Sequence, residues 1–133
     1  KMYFIEMTPR PGGDCLPPLI FECSGLDTLK VNIDFSEGKK IIISPLNKWK
    51  KLVGFRLFAK KQGVIKKIDI SAIQKIPNVI KCELHIEKGE EISLPPKDYM
   101  SRILGYVIFK PKNWNNLEEE CAKIASKLNL VVK

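Results

Sequence analysis

Residues 103–110 read ILGYVIFK, a nearly continuous apolar run. β-Branched and aromatic side chains make up most of it, which favours an extended conformation. The scarcity of polar residues predicts a buried strand rather than a surface strand. The segments on either side of this run predict further strands and helices of a small mixed domain.

Two segments upstream predict the neighbouring strands. Residues 79–86 alternate with a period of two, which predicts a half-buried strand, and a turn at residues 88–90 and a loop at residues 94–96 bound a further short strand. Residues 41–70 are rich in β-branched and aromatic side chains and predict strand, turn and strand, with the turn at residues 61–63. The alternation over residues 79–86 puts Val79, Lys81, Glu83 and His85 on one face, and Ile80, Cys82, Leu84 and Ile86 on the other.

The carboxy-terminal residues 113–133 predict the clearest helix of the chain. An asparagine precedes it and Glu118–Glu120 fill its first turn, where acidic side chains complement the helix dipole. Residues 130–133 then predict a closing edge strand, and residues 70–76 predict a single helical turn before Pro77. Apolar residues recur at helical spacing in the last helix: Leu117, Cys121, Ile124 and Leu128.

Two further helices are predicted upstream. The first begins at Asp14, which can cap it, carries two prolines in its first turn and ends near Gly25. The second closes at Gly38, with lysines beyond it that complement a helix carboxy terminus. Residues 2–5 predict an opening strand, which must end before Pro9.

These elements predict an α+β chain in two parts. Residues 1–48 would form a strand, a loop rich in glycine and proline, and two helices. Residues 49–133 would form a small α+β domain. The chain starts at Lys1, directly at a strand, so we expect the 133 residues to belong to a longer protein.

The net charge of +8 leaves two interpretations. Lysines outnumber arginines 20 to 3 and occur as scattered pairs, among them Lys60-Lys61 and Lys66-Lys67. One interpretation is a basic anion- or RNA-binding α+β module, whose affinity would fall steeply with salt. The other is a solvated lysine-rich surface, which we favour because Trp49 and Trp114 stand apart from any nucleic-acid-binding motif.

The cysteines and the histidine bear on the class of protein. The four cysteines are scattered among apolar neighbours without C-x-x-C spacing, and the sole histidine is His85, so we expect reduced thiols and no zinc site. No apolar stretch approaches the ~18 residues that a membrane span needs, and no signal peptide is present. We therefore expect a cytoplasmic protein that does not enter a membrane.

The loop over residues 3–14, YFIEMTPRPGGD, carries the candidate site. Glu6 is an oxygen donor of the kind that Mg²⁺ prefers, and Arg10 offers a planar fork for phosphate or carboxylate oxygens. Gly12 and Gly13 let backbone N–H groups approach a ligand, and the following helix adds its positive end. Asp14 could recognise a substrate ammonium group. The alternative is a surface ion pair between Glu6 and Arg10, which would contribute little.

The same residues resemble a known family. Residues 4–14, FIEMTPRPGGD, resemble the carboxy-terminal signature of ATP-grasp enzymes, in which a strand carries a metal-binding Glu, then an Asn, then an Arg. LPPLIFECSGLD, residues 16–27, is similar to the segment that follows in carboxylate-amine ligases of that superfamily, including L-amino-acid ligases. Residues 52–132 are similar to the small terminal domain of those ligases and of biotin-carboxylase-like relatives, notably in GFRLFAKKQGVI, IPNV and SRILGYVIFKPKN.

The resemblance implies a fold and a reaction. The fold would be the carboxy-terminal part of an ATP-grasp domain followed by a small antiparallel-sheet-plus-helix domain. The reaction would use ATP and Mg²⁺ or Mn²⁺ to convert a small carboxylate into an acyl phosphate, which an amine then attacks. Carried over by position, Glu6 and Thr8 would bind metal, Arg10 would be catalytic, and Gly12, Gly13 and Asp14 would bind substrate.

The chain departs from the family pattern in two ways that bear on whether it carries out this reaction. Thr8 stands where the family has a metal-binding Asn, which also allows a third interpretation, a degenerate ligase-like domain without catalysis. The family's nucleotide-binding lysines, its adenine pocket and a second acidic metal ligand precede this loop. We therefore expect the 133 residues alone to be inactive and to act with amino-terminal lobes of the same chain.

Overall fold

The computed structural model describes residues 12–13 and 15–133. These residues fall into two compact units, one that ends at Lys51 and one that spans Leu52–Lys133. The predicted strand over residues 2–5 lies outside the described residues. None of the helices described is both long and apolar enough to cross a membrane.

The first unit contains the two predicted helices. Helix α1 spans Leu16–Ser24, with prolines in its first turn, and the chain leaves it through Gly25 in the left-handed conformation (φ 75°). Helix α2 spans Thr28–Ser36. Cys15 occupies the position before α1 and makes no side-chain capping bond, whereas Asp14, the predicted cap, lies outside the described residues.

The strand predicted from residue 41 starts much later than expected. A short 3₁₀ turn at Leu46–Lys48 follows Pro45, and the indole Nε1 of Trp49 donates a hydrogen bond to the Ser44 carbonyl at 3.0 Å. The Lys50 N–H donates to the Cys23 carbonyl at 2.8 Å. These bonds use the backbone for a turn, so residues 41–52 do not form a strand despite their three consecutive isoleucines.

The second unit is built from two three-stranded antiparallel sheets. The strand orders are β1-β5-β3 and β4-β2-β6. Two helices complete the unit, α3 at Ser71–Gln74 and α4 at Leu117–Ala125, the latter preceded by a 3₁₀ turn at Trp114–Asn116. The strands are β1 Val53–Phe58, β2 Gly63–Asp69, β3 Val79–Leu84, β4 Glu91–Ile92, β5 Ile103–Phe109 and β6 Asn129–Val132.

Strand β5 is the central strand of its sheet and, apart from Ile103, is buried throughout, as its apolar run predicts. It pairs with β1 on one side and β3 on the other. Strands β1 and β2, although consecutive in the chain, lie in different sheets, so the turn at residues 61–63 carries the chain between sheets and does not close a hairpin. Gly105 lies so close to β3 that a Cβ would clash with the Glu83 carbonyl.

The alternation predicted for β3 holds over residues 81–86 but not at the start of the strand, where Val79 packs against the core. Cys82 and Ile86 are buried, as expected, but Ile80 is 45% exposed. The register with β5 shifts between Val79 and Lys81, so the ladder skips Ile80. A bulge of this kind leaves the extra residue unpaired, which accounts for the exposure of Ile80.

Both sheets and both helices of the second unit contribute side chains to its hydrophobic core. Strand β6 forms the predicted closing edge strand, and α4 contributes Ile124 to the core. None of the four cysteines forms a disulfide with another. The buried core side chains are Leu57, Ala59, Ile65, Ile73, Cys82, Ile86, Ile92, Leu104, Val107, Phe109 and Ile124.

Candidate functional site

The described residues include only part of the predicted site. Gly12 and Gly13 are described, whereas Glu6, Thr8, Arg10 and Asp14 lie outside the described residues. The proposed metal ligands and the proposed catalytic arginine therefore remain predictions from the sequence.

The two described glycines differ in the space around them. A Cβ placed on Gly12 would lie 2.5 Å from Cδ2 of Leu16, so the backbone here passes close to the first residue of α1. Around Gly13 a Cβ would meet no atom of the described residues within 4 Å. The Gly13 carbonyl accepts a hydrogen bond from the Leu16 N–H at 3.3 Å, which joins the loop to the helix.

The start of α1 offers fewer N–H donors than the sequence led us to expect. Pro17 and Pro18 have no N–H groups, and the Leu16 N–H is directed at the Gly13 carbonyl. The Leu19 N–H donates to the Cys15 carbonyl at 2.9 Å, within the helix itself. An anion at this helix end would therefore meet the helix dipole but none of these four amides as hydrogen-bond donors.

The motif after α1, Ser24-Gly25-Leu26-Asp27, has a structural role. The Ser24 hydroxyl donates to the Ile20 carbonyl at 2.7 Å and accepts from the Leu26 N–H at 3.0 Å. One oxygen of Asp27 accepts from the N–H groups of Leu29 and Lys30, at 3.0 and 3.1 Å. Ser24 thus supports the end of α1, and Asp27 caps α2.

A polar cluster lies on the β3 and β5 strands of the second unit. Tyr106, which is only 3% exposed, donates its hydroxyl to the Glu83 carboxylate, and the two residues face each other across the ladder. Lys81 pairs with the other oxygen of Glu83 at 2.9 Å. The exposed His85 ring lies edge-on to Tyr106, with centroids 5.5 Å apart.

Hydrogen bonding and burial shift the pKa values in this cluster. The hydrogen bond from Tyr106, followed by that from Lys81, lowers the pKa of Glu83. Burial, together with the bond to Glu83, raises the pKa of Tyr106 to about 12. Near neutral pH the tyrosine is therefore a neutral donor and the glutamate an ionised acceptor. This arrangement fixes the side chains and supplies no free base.

Sequence analysis did not pair Tyr106 with Glu83. The alternation in β3 put Glu83 on the polar face, but the register that brings it opposite Tyr106 is a tertiary feature. His85 lies on the exposed polar face, as expected for a solvated histidine.

A groove of about 300 Å³ runs beside α4. Its acidic residue Glu120 is fully engaged: one oxygen accepts from the Asn78 amide at 2.8 Å and the other from the Lys112 N–H at 3.1 Å. Glu120 therefore ties α4 to the start of β3 and to the end of β5. In the part of the chain that the structure describes, no three His, Cys, Asp or Glu side chains are grouped so that they could hold a metal ion.

Two solved structures are similar to the chain over most of its length. One is a phosphoribosylglycinamide synthetase from Anaerococcus prevotii, with a TM-score of 0.64 and 18% identity, covering 92% of this chain and 31% of the synthetase. The other is an L-amino acid ligase from Bacillus licheniformis, with a TM-score of 0.62 and 14% identity, covering 88% of this chain and 29% of the ligase. Both are ATP-grasp carboxylate-amine ligases.

The chain has the fold of a partial ATP-grasp ligase. The predicted fold is thereby confirmed: an α+β carboxy-terminal part of an ATP-grasp domain followed by a small antiparallel-sheet-plus-helix domain. The chain spans about 30% of the length of the two ligases. No protein-family model and no curated protein matches the chain.

Within this ATP-grasp ligase fold, the lysine pairs are part of the outer surface. Lys60 and Lys61 lie in the turn after β1, and Lys66 and Lys67 lie on β2, where the register with β6 is irregular. All four side chains are exposed. A solvated lysine-rich surface and an anion-binding surface would both have these lysines exposed, so their exposure does not separate the two interpretations.

Proposed function

We propose that the chain is the carboxy-terminal portion of an ATP-dependent carboxylate-amine ligase. The observation that carries this proposal is the likeness of its fold to two such ligases, taken together with the loop that precedes α1. That loop delivers Glu6, Thr8 and Arg10 and then two glycines, in the order of the family's signature.

The proposed reaction has two steps. An oxygen of the carboxylate substrate attacks the γ-phosphorus of ATP, which forms an acyl phosphate and releases ADP. The nitrogen of the amine substrate then attacks the acyl carbon, which forms the amide or peptide bond, releases inorganic phosphate and frees one proton. Positioned positive charge is the main catalytic requirement of such phosphoryl and acyl transfers.

The loop residues would share this work. Glu6 and Thr8 present a carboxylate and a hydroxyl, both oxygen donors of the type that Mg²⁺ or Mn²⁺ accepts. The metal, when bound, would neutralise charge on the phosphate oxygens. Arg10 would hold the transferring phosphoryl group through its planar fork. Gly13, whose surroundings among the described residues leave room for a Cβ, would let the substrate approach the backbone, with Gly12 and Asp14 beside it.

The remaining lobes of the same polypeptide would complete the site. Neither α1 nor α2 contains a buried residue, although both helices carry large apolar side chains. Phe21, Leu29 and Phe35 are 51%, 68% and 73% exposed. Apolar helix faces of this kind are normally covered by protein. We propose that the amino-terminal lobes cover them, and that the 133 residues alone do not turn over ATP.

The test is an ATP-hydrolysis screen of the complete polypeptide that contains these residues, with pools of amino acids and small carboxylates. We expect ADP and phosphate release that depends on both an acid and an amine substrate. Glu6→Gln and Arg10→Ala should each reduce this release by at least about 100-fold, because each removes charge that acts in the transition state. Glu22→Gln, which removes a carboxylate from α1, is the matched control and should leave the rate unchanged.

The variant Thr8→Asn tests the departure from the family pattern. A carboxamide oxygen is a stronger neutral ligand than a hydroxyl, so this variant should lower the Mg²⁺ concentration that supports half-maximal activity. No release from a folded, ATP-binding polypeptide, with any substrate pool, would overturn the ligase proposal in favour of a degenerate domain without catalysis. Activity of the isolated 133 residues would overturn the proposal that other lobes are required.

A further inference from the structure

Strand β6 leaves one edge of its sheet unpaired. In the order β4-β2-β6 it pairs with β2 alone, and none of the described strands lies along its other edge. The strand, Asn129–Val132, contains neither a charged residue nor a proline, two features that commonly protect an edge from further pairing. Its four residues present about 13 Å of edge, which is open to pairing with an added strand.

The hydrogen bonds of β2 show which backbone groups of β6 point outward. Lys133 exchanges two bonds with Val64 of β2, at 2.6 and 3.0 Å, so its N–H and C=O groups point toward β2. Ile65, which lies opposite Val132, instead forms its bonds with residues 89–90 on the other side of β2, both at 2.9 Å. The N–H and C=O groups of Val132 therefore point away from β2.

The outward groups border a groove. Leu130 has the same orientation as Val132, because alternate residues of a strand direct their N–H and C=O groups to the same side. No hydrogen bond joins these outward groups to another of the described residues. A groove of about 460 Å³ is lined by Leu130, Val131 and Val132. Consecutive side chains of a strand point to opposite faces, so a groove that all three line lies at the edge of the strand.

The remaining lining of the groove is apolar and basic. Phe58, at the end of β1, is 42% exposed, and Leu128 contributes a half-buried side chain. Lys60 and Lys61 are exposed and are the only charged residues among the described residues that line the groove. Neither lysine forms an ion pair with another described residue. The groove therefore has positive charge and no acidic side chain to balance it.

We propose that the outer edge of β6 binds an extended acidic peptide of another protein as an added strand. The outward N–H and C=O groups of Leu130 and Val132 bond to the backbone of the peptide, as in other cases of strand addition to a sheet edge. Apolar side chains of the peptide contact Phe58, and its Asp or Glu side chains face Lys60 and Lys61.

The charge of the chain distinguishes this partner from a second copy of the same chain. The chain carries a net charge of +8, so a second copy would bring further positive charge to an edge that already has two lysines beside it. Like charges across an interface disfavour association, whereas an acidic peptide is attracted. The edge does not include the opening loop, and the proposal does not rest on the ligase reaction.

The experiment is an NMR titration of the 133-residue chain with a six-residue peptide of alternating valine and glutamate, capped at both ends. We expect saturable shifts of the Leu130 and Val132 amide signals, and slower hydrogen exchange of these two N–H groups, because the added strand accepts their hydrogen bonds. Two control peptides are compared at equal ionic strength. A valine-lysine peptide should bind at least about tenfold more weakly, and a fully N-methylated valine-glutamate peptide, which has no backbone N–H, should not bind.

The variants test charge and edge separately. Lys60→Glu combined with Lys61→Glu should weaken binding of the valine-glutamate peptide at least about tenfold. Lys66→Glu combined with Lys67→Glu reverses an exposed pair that does not line the groove, and should change the affinity by less than about threefold. Val132→Pro removes the outward N–H but no bond to β2, a position where an edge strand tolerates proline, and should abolish binding.

Several results would overturn the proposal. One is the absence of saturable shifts at Leu130 and Val132 in a chain with a folded amide spectrum. Equal binding of the N-methylated peptide would show that backbone pairing is not used, and this control holds even if Val132→Pro fails to fold. Equal binding of the valine-lysine peptide would exclude charge selection.

Two further results would assign the edge to a different partner. Tighter binding of a short oligoribonucleotide than of the valine-glutamate peptide, lost when Lys60 and Lys61 are changed to Glu, would assign the lysines to nucleic acid. Shifts at Leu130 and Val132 that grow with protein concentration in the absence of peptide would assign the edge to a second copy of this chain. Either result would replace the acidic peptide as the partner.

Discussion

The two units of this chain bury their apolar side chains to very different extents. Every buried side chain among the described residues lies in the second unit, including Leu57, Phe109 and Ile124. In the first unit α1 and α2 have no buried residue, and Phe35 is 73% exposed. The difference shows that an apolar helical pattern produces a core only where enough other elements are present to cover it.

The physical reason is the number of packed layers. The second unit has two sheets and helix α4, so strands such as β5 are covered and a closed core results. Two nine-residue helices cannot enclose a core between them, and helices of that length gain most of their stability from tertiary packing. Three experiments test this difference in packing between the two units.

The largest effect is expected from Phe109→Ala in the second unit. Phe109 is fully buried and stacks edge-on against Phe55 with ring centroids 5.9 Å apart, so its loss should lower the free energy of unfolding by about 4 kcal/mol. Phe35→Ala, the matched change at an exposed position, should alter it by less than about 0.5 kcal/mol in the same chain. Urea denaturation of both variants measures the two values.

The same two variants could also show that the units do not differ in packing. A loss of similar size for Phe35→Ala in the 133-residue chain would show that the first unit is as well packed as the second. In the complete ligase polypeptide we expect Phe35→Ala to cost about 2 kcal/mol or more, because the proposed amino-terminal lobes would cover that side chain.

An intermediate effect is expected from Tyr106→Phe. This variant removes the hydrogen bond to Glu83, which should lower the free energy of unfolding by about 1.5 kcal/mol at neutral pH. The pKa of Tyr106 is raised to about 12 in the folded state from an ordinary value near 10, so the folded chain holds this proton more tightly than the unfolded chain. The stabilisation is therefore fully present below pH 10 and is lost as the pH rises through 10 to 12.

Urea unfolding measured at pH 8 and at pH 11 tests whether the stabilisation by Tyr106 is lost as the pH rises. The stability difference between the parent chain and Tyr106→Phe should shrink at the higher pH. A difference that is constant or grows between the two pH values would contradict the assignment of the raised pKa to Tyr106. The lysines away from this cluster titrate in both chains alike, so the comparison cancels their contribution; Lys81 is the exception, because Tyr106 is among the groups that raise the pKa of Lys81.

The smallest effect is expected from Asp27→Ala in the first unit. Asp27 accepts two N–H bonds at the start of α2, and loss of such a cap costs about 1 kcal/mol of helix stability. Asp27→Asn keeps a side-chain oxygen in place and should behave like the parent chain. Amide hydrogen exchange over residues 28–36 is the measurement. Equally faster exchange in strand β5 would show that the two units unfold together and would remove the contrast.

Local patterns predicted most of the elements. An apolar run predicted β5, a period-two alternation predicted β3 and an acidic first turn predicted α4, and the structure contains all three elements. Pro17, Pro18 and Gly25 marked the start and end of α1 by restricting or freeing backbone angles. The strand expected at residue 41 failed because Pro45 and the bond from Trp49 to Ser44 favour a turn there.

The candidate site was also predicted from local sequence patterns. The structure can be compared with that prediction only at Gly12 and Gly13, because the other site residues lie outside the described residues. The sequence placed glycines where a ligand could approach, and the structure gives open space at Gly13 but a close approach to Leu16 at Gly12. The sequence analysis did not take into account that Pro17 and Pro18 remove two N–H donors from the start of α1. This could have been predicted, because proline has no backbone N–H. The roles of Glu6, Thr8 and Arg10 stay predictions.

The sequence by itself determined the α+β class, the ligase resemblance and the residues of the opening loop, because these depend on residue type and local spacing. Only the tertiary structure decided which strands pair, that β1 and β2 separate into different sheets, and that Glu83 meets Tyr106. It alone placed the guanidinium of Arg102 over the ring of Phe58, a residue that lies 44 positions from it along the chain. Contacts between distant segments depend on the register and packing of the whole unit, which local sequence patterns do not encode.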